Sequence, residues 1–294
     1  MQEFKTYHPL VNMIYFLAVI GFTVFFMHPV FLLISFVGGL LYSVLLKGKQ
    51  AGRNLVYILP MILLMALMNP LFNHRGVNIL LYLPSGNPLT MESIIYGGVA
   101  ALMIAGVICH FICYNEVMSS DKFIYLFGKI IPSLSLVFSM TLRFVPRFIR
   151  QFKIVYQMQK LLKGEGRKER LSHRFQAGVS TLSAMLSWSL ENALDTADSM
   201  KARGYGLPGR TAFSLYRMDG RDVRALASIL ALSVYVLYAG LSCKMSFQFF
   251  PTIVWPELTL YSLTVYVAFM VLCTLPLLIE FWEVRRWQSM KSKI

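Results

Sequence analysis

The chain has 294 residues, of which 56% are hydrophobic and only 14% charged, and its formal charge is +14. A soluble domain carries roughly a quarter charged residues, so this composition excludes an ordinary water-soluble fold and points to a bilayer as solvent. The four cysteines, Cys109, Cys113, Cys243 and Cys273, lie within or beside apolar runs. They read as small buried hydrophobes and not as a disulfide framework. The first two apolar runs follow each other with no small-residue cleavage pattern, so no cleavable signal peptide is expected.

In chain order, six apolar runs are long enough to span a bilayer, near 10–27, 29–46, 54–70, 92–115, 224–243 and 258–281. A span takes about 20 helical residues with some latitude. His28-Pro29 breaks the first pair into a tight hairpin, and Pro60 predicts a kink inside the third run. The expectation is an all-α integral membrane protein. It has about six transmembrane helices, with long cytoplasmic helices between the fourth and fifth. Three regions follow: a four-span membrane domain at 1–115, cytoplasmic or interfacial helices at 116–222, and a two-span hairpin with a basic tail at 223–294.

Placing the N-terminus in the cytoplasm puts 26 of the 28 Lys and Arg inside, leaving only Arg75 and Lys244 outside. Short loops and tails agree with the long internal segment, as the positive-inside rule asks. Topology thus accounts for the charge, and nucleic acid is not needed as a partner. Both termini are expected in the cytoplasm of a bacterial cell, with the chain multi-pass in the inner membrane.

The internal segment is too long for a linker and too apolar for a soluble domain. Arg143, Arg147 and Arg150 fall at i, i+4 and i+7, giving one cationic helical face. Val145, Phe148, Ile149, Phe152 and Tyr156 lie on the other side. Such a helix suits the membrane–water boundary, with its arginines near lipid phosphates. After the Gly164-Glu165-Gly166 break comes a second helix with a stripe of Leu182, Leu186, Leu190, Leu194 and Ala197. Small residues at Gly178, Ser180, Ser183, Ala184 and Ser187 leave room for another helix to approach.

That helix ends in Ala202-Arg203-Gly204, followed by the helix-stopping Gly206, Pro208 and Gly209. Two readings stand. In one, Arg203 complements the C-terminal dipole and Gly204 supplies a left-handed cap, with no further role. In the other, the basic tip is held in the cytoplasm to meet a partner.

Five stretches together carry a resemblance: "YHPLVNMIYF" at 7–16, "NPLFNHRG" at 69–76, "DKFIYLFGKIIPSLSL" at 121–136, "RFVPRF" at 143–148 and "SMKARGYG" at 199–206. On these the chain resembles the transmembrane T component of energy-coupling factor (ECF) transporters, the group that includes the membrane subunit of cobalt and nickel importers. The resemblance covers nearly the whole chain. It implies a coupling subunit that links two ABC-type ATPases to a small membrane protein capturing a vitamin or a transition-metal ion. Two short Ala-Arg-Gly-like motifs would dock into the ATPases. The second maps onto Ala202, Arg203 and Gly204. The first maps onto Leu162, Lys163 and Gly164, a departure in which Leu stands for Ala and Lys for Arg. Arg offers a planar multi-donor fork to carboxylates, and Lys keeps the charge but loses the fork. ATP would be bound by the partners, with no cofactor in this chain, whose sequence holds no GxxxxGK[ST] phosphate cradle.

An enzyme is a weaker reading: there is no HExxH, and Cys109-His110-x-x-Cys113 sits in an apolar helix where packing is favoured over metal binding. A stand-alone secondary transporter would show paired repeats or mid-membrane ionisable groups, and a conventional ABC permease would dock through one coupling helix and self-associate. Both are kept as alternatives. The cargo is not written in the sequence.

Overall fold

The computed structural model describes the chain except residues 1–2, 83–87, 129–131, 163–170, 206, 208–215, 243–246, 257–258 and 292–294. After a short 3-10 turn, Glu3–Thr6, come α1 (Pro9–Phe25), α2 (Pro29–Lys47) and α3 (Lys49–Phe72). A two-stranded hairpin, β1 (Ile79–Tyr82) and β2 (Pro88–Thr90), leads into α4 (Met91–Val117). Then follow α5 (Ser120–Gly128), α6 (Pro132–Leu162), α7 (Leu171–Ala202), α8 (Gly220–Leu241) and α9 (Leu260–Lys291). The all-α membrane expectation holds, with the small hairpin added to it. Among the described residues five helices are long and apolar enough to cross a membrane: α2, α3, α4, α8 and α9. The first expected span, α1, is apolar but only 17 residues long.

The two His-Pro pairs start helices by one device. His8 and His28 sit at the N-caps of α1 and α2, and each ring Nδ1 accepts a hydrogen bond from the backbone N–H two residues on, at 3.2 Å. Proline at the next position has no N–H to satisfy and is already set to a helical φ. Together these make the tight α1–α2 hairpin.

Helix α2 lies between α4 and α9 because Gly38 and Gly39 give it two bare faces. A methyl on Gly38 would sit 3.0 Å from Cys273 Cβ on α9, and one on Gly39 would sit 3.2 Å from Cys109 Cβ and the His110 ring on α4. Small residues at crossings substitute for the missing hydrophobic drive between helices in lipid. Three polar side chains meet inside this contact. His110 Nε2 lies 3.1 Å from both the hydroxyl and the carbonyl oxygen of Ser35, and Ser35 Oγ lies 2.6 Å from Thr23 Oγ1 on α1.

The loop before the hairpin, within "NPLFNHRG", is tied to the start of α4. Thr90 Oγ1 donates to the Arg75 carbonyl at 2.8 Å, Ser93 Oγ donates to the Asn73 carbonyl, and the buried Glu92 carboxylate accepts from the Asn78 side chain at 2.9 Å. Gly76, at φ +141°, is required there, since a side chain would collide with Glu92 and Thr90.

The chain forms two compact units. One comprises residues 1–123 and 216–294; the other comprises 124–215, which holds α6 and α7.

Candidate docking site

Helix α7 is built to end at Gly204. Its polar residues fold back on the helix backbone: Asn192 Nδ2 donates to the Trp188 carbonyl at 3.2 Å and Thr196 Oγ1 to that of Asn192 at 2.6 Å. At the tip, Gly204 takes φ +77°. The Tyr205 N–H then reaches back to the Met200 carbonyl at 3.0 Å, and the Gly204 N–H to that of Lys201 at 2.9 Å. This paired closure is a Schellman cap, which satisfies carbonyls left open at a helix end. Leu207 folds against the tip, its Cδ1 3.1 Å from where a side chain on Gly204 would begin.

Arg203 occupies the cap position itself. Lys201, Ala202 and Arg203 are all exposed, and among the described residues no acid pairs with Arg203. The turn therefore presents a cationic fork on a small-residue platform, at a helix end whose partial negative charge two cations already offset. The local reading of the motif accounts for Gly204 and does not call for Ala202 or for a guanidinium.

The first mapped motif begins at Leu162, the last residue of α6. Lys163 and Gly164 lie outside the described residues, as does the Gly164-Glu165-Gly166 break.

Helices α6 and α7 meet through Trp188. Phe148 packs edge-on against it with ring centres 5.2 Å apart, and the Arg147 guanidinium lies 5.6 Å over the same ring. A cleft of about 290 Å³ runs from this contact, lined by Met140 and Phe144 on α6 and by Asn192, Ala193 and Met200 on α7. Because the cleft joins residues before Phe148 to residues after Trp188, the two helices run antiparallel here and their C-terminal ends point in opposite directions. Leu162 and Arg203 stand 14 and 15 residues beyond it, arms of about 21 and 22 Å at 1.5 Å per residue.

The three arginines expected to form one lipid-facing set are all exposed but differ in their contacts. Arg147 is over Trp188, Arg143 is 5.4 Å from the Phe144 ring, and Arg150 Nε donates to the Pro146 carbonyl at 3.4 Å. The helix-facing stripe of α7 also differs from the two stripes read from the sequence. The cleft face carries Trp188, Asn192 and Thr196, whereas Leu182, Leu186, Leu190 and Leu194 are 58–69% exposed. Trp188 is the residue that sequence reasoning missed. A single Trp in a run of small and polar residues was the available signal, since so large a ring on an otherwise slender helix needs a packing partner.

Cys109, His110 and Cys113 are buried in α4. Cys109 and Cys113 are free thiols, and no cluster of three metal-binding side chains occurs among the described residues.

Over 101 residues the chain is 34% identical to the energy-coupling factor transporter transmembrane protein EcfT of Listeria innocua. Over that stretch the chain is similar to that protein. The aligned stretch is 34% of this chain and spans about 38% of the relative's length. No family model matches the chain. The match agrees with the resemblance drawn from the five sequence stretches and with a multi-pass apolar helix bundle.

Proposed function

We propose that this protein is the T component of an ECF-type importer: a non-catalytic subunit that couples two ABC-type ATPases to a small substrate-capture membrane protein. The observation that carries this reading is the α7 tip. It is a capped turn presenting Ala202 and Arg203 to solvent with no acid among the described residues to hold the guanidinium. Carboxylates lining a groove on an ATPase would supply the bidentate acceptor that Arg favours over Lys. The oppositely directed C-terminal ends of α6 and α7 would place the two motifs, at Leu162-Lys163-Gly164 and Ala202-Arg203-Gly204, on separate ATPases. The positive-inside distribution puts both termini and both tips in the cytoplasm. Arg143 and Arg150 remain free to meet lipid phosphates at the boundary. Cargo is a vitamin or a transition-metal ion chosen by the capture subunit, and ATP is bound by the ATPases.

Affinity purification of the wild-type protein from its host's membranes tests this. Two ABC ATPase chains and one small membrane protein should accompany it. Recovery of the chain alone, or as a homodimer with no such partners, overturns the reading in favour of a stand-alone transporter or a conventional permease.

A further inference from the structure

The stretch "YHPLVNMIYF" at 7–16 has no part in the docking site, yet the structure gathers long-range contacts upon it. The chain leaves the membrane unit just after Lys122 and returns to it at Tyr216. Both points are fastened to the same N-terminal segment, Glu3 to Asn12.

On the leaving side, the ammonium of Lys122 is buried and donates to the Lys5 carbonyl and, at 3.2 Å, to that of Val117 at the end of α4. With the Asn12 amide turned so that its oxygen faces the ammonium, the third donor reaches that oxygen at 2.8 Å and the Asn12 nitrogen donates to the Phe4 carbonyl at 3.1 Å. In that orientation all three protons of the ammonium are used. On the returning side, the buried Asp222 carboxylate accepts from the His8 N–H at 3.2 Å with one oxygen and from the Asp219 N–H at 3.0 Å with the other. Next to it the Arg221 guanidinium lies 4.5 Å over the Tyr7 ring, donates to Thr6 Oγ1 at 3.3 Å, and pairs with Glu283 of α9 at 3.2 Å. Tyr216 and Ser119 share a hydrogen bond that joins the two sides directly.

The segment is also rooted in the membrane core. Phe4 is fully buried among Tyr7, Tyr15 and Tyr42, and the Tyr15 hydroxyl donates to the Cys273 carbonyl of α9 at 3.0 Å. Charged groups buried this deeply are costly unless fully paired, and removing one partner exposes the other to that cost.

We infer that Glu3–Asn12 is a clasp that carries motion from the coupling unit into the transmembrane helices, with Lys122 and Asp222 as its positioning residues. This rests on the coupling role proposed above. Movement of the coupling helices pulls on the two stems, and the clasp makes the stems move together. Through Phe4, Tyr7 and Tyr15 it passes that movement to α1, α2 and α9.

The test uses the purified complex in nanodiscs, with hydrogen exchange read with and without ATP, for wild type, Lys122→Met and Asp222→Ala. In wild type, ATP should change exchange of the amides of residues 3–12, His8 among them, on the order of tenfold, since these are local openings rather than global unfolding. In both variants the response of the coupling helices should persist while that of residues 3–12 falls to background. A merely structural role would lower thermal stability but leave the ATP response of the folded complex intact. If wild type shows no ATP response at 3–12, or if either variant transmits it unchanged, the clasp is overturned and the coupling role stands. If no ATPase accompanies wild type, both are overturned. Should the variants fail to assemble, the wild-type comparison alone decides.

Discussion

Gly204→Ala probes the α7 tip most sharply. Gly204 holds φ +77°, and a residue with a Cβ pays roughly 1–2 kcal/mol in that left-handed region. The new methyl would also meet Leu207 Cδ1 at 3.1 Å, a contact that the free end of a leucine relieves by shifting a few tenths of an ångström, so the backbone cost dominates. At about 1.4 kcal/mol per factor of ten, the capped turn would lose about five- to thirtyfold in population relative to uncapped forms. Apparent affinity falls with the binding-competent fraction. Titration of detergent-purified protein with the host's ABC ATPase pair should therefore show a Kd weakened by up to that factor. Gly204→Asn should recover much of the loss, because Asn tolerates the left-handed conformation. The reasoning is refuted if Gly204→Ala binds as tightly as wild type. It is refuted equally if Asn and Ala weaken binding alike, which would make bulk, and not the turn, the cause.

Gly39→Ala should lower thermal stability by about 1–3 kcal/mol through overpacking, because its methyl meets Cys109 and His110 at 3.2 Å. Gly21→Ala, with nothing within 4 Å, should leave the midpoint unchanged or raised in the same unfolding assay. Burial, reinforced by the nearby Lys5 charge, lowers the Lys122 pKa from 10.5 to about 8. Below pH 8 both folded and unfolded chains hold that proton and the penalty is constant. Between about 8 and 10.5 the unfolded chain binds more protons, so stability contributed by this group rises with pH. Tyr7, raised to about 12 mainly by burial, opposes this only above pH 10. Unfolding midpoints of wild type minus Lys122→Met should therefore climb from pH 8 to 10, and a flat difference would contradict the assignment.

Much of the bundle is legible in the sequence because the bilayer imposes a length and a polarity on each span. The expected run at 29–46 is α2, Pro29–Lys47, and that at 92–115 is α4, Met91–Val117. The left-handed cap at Gly204 is legible for a similar reason: it is a local backbone requirement with one favoured residue. The contacts that depend on distant partners are not legible. The α7 face that meets α6 centres on Trp188, and no periodicity distinguishes it from the leucine stripe beside it. The β1–β2 hairpin hides in a loop too short to show alternation. Lys122 with Lys5 and Asp222 with His8 are separated by 117 and 214 residues, and a hydrogen bond across such a span leaves no pattern in one chain.

The charge reversal Arg203→Glu, with Arg203→Lys beside it, tests the central claim most directly when each is purified from host membranes and its ATPase content is measured per membrane chain. The account predicts full ATPase content for wild type, a reduced content for Lys, which keeps the charge and loses the fork, and the loss of at least one ATPase for Glu. Wild-type ATPase content in Arg203→Glu would contradict it, and would reduce Arg203 to a cation at a helix end.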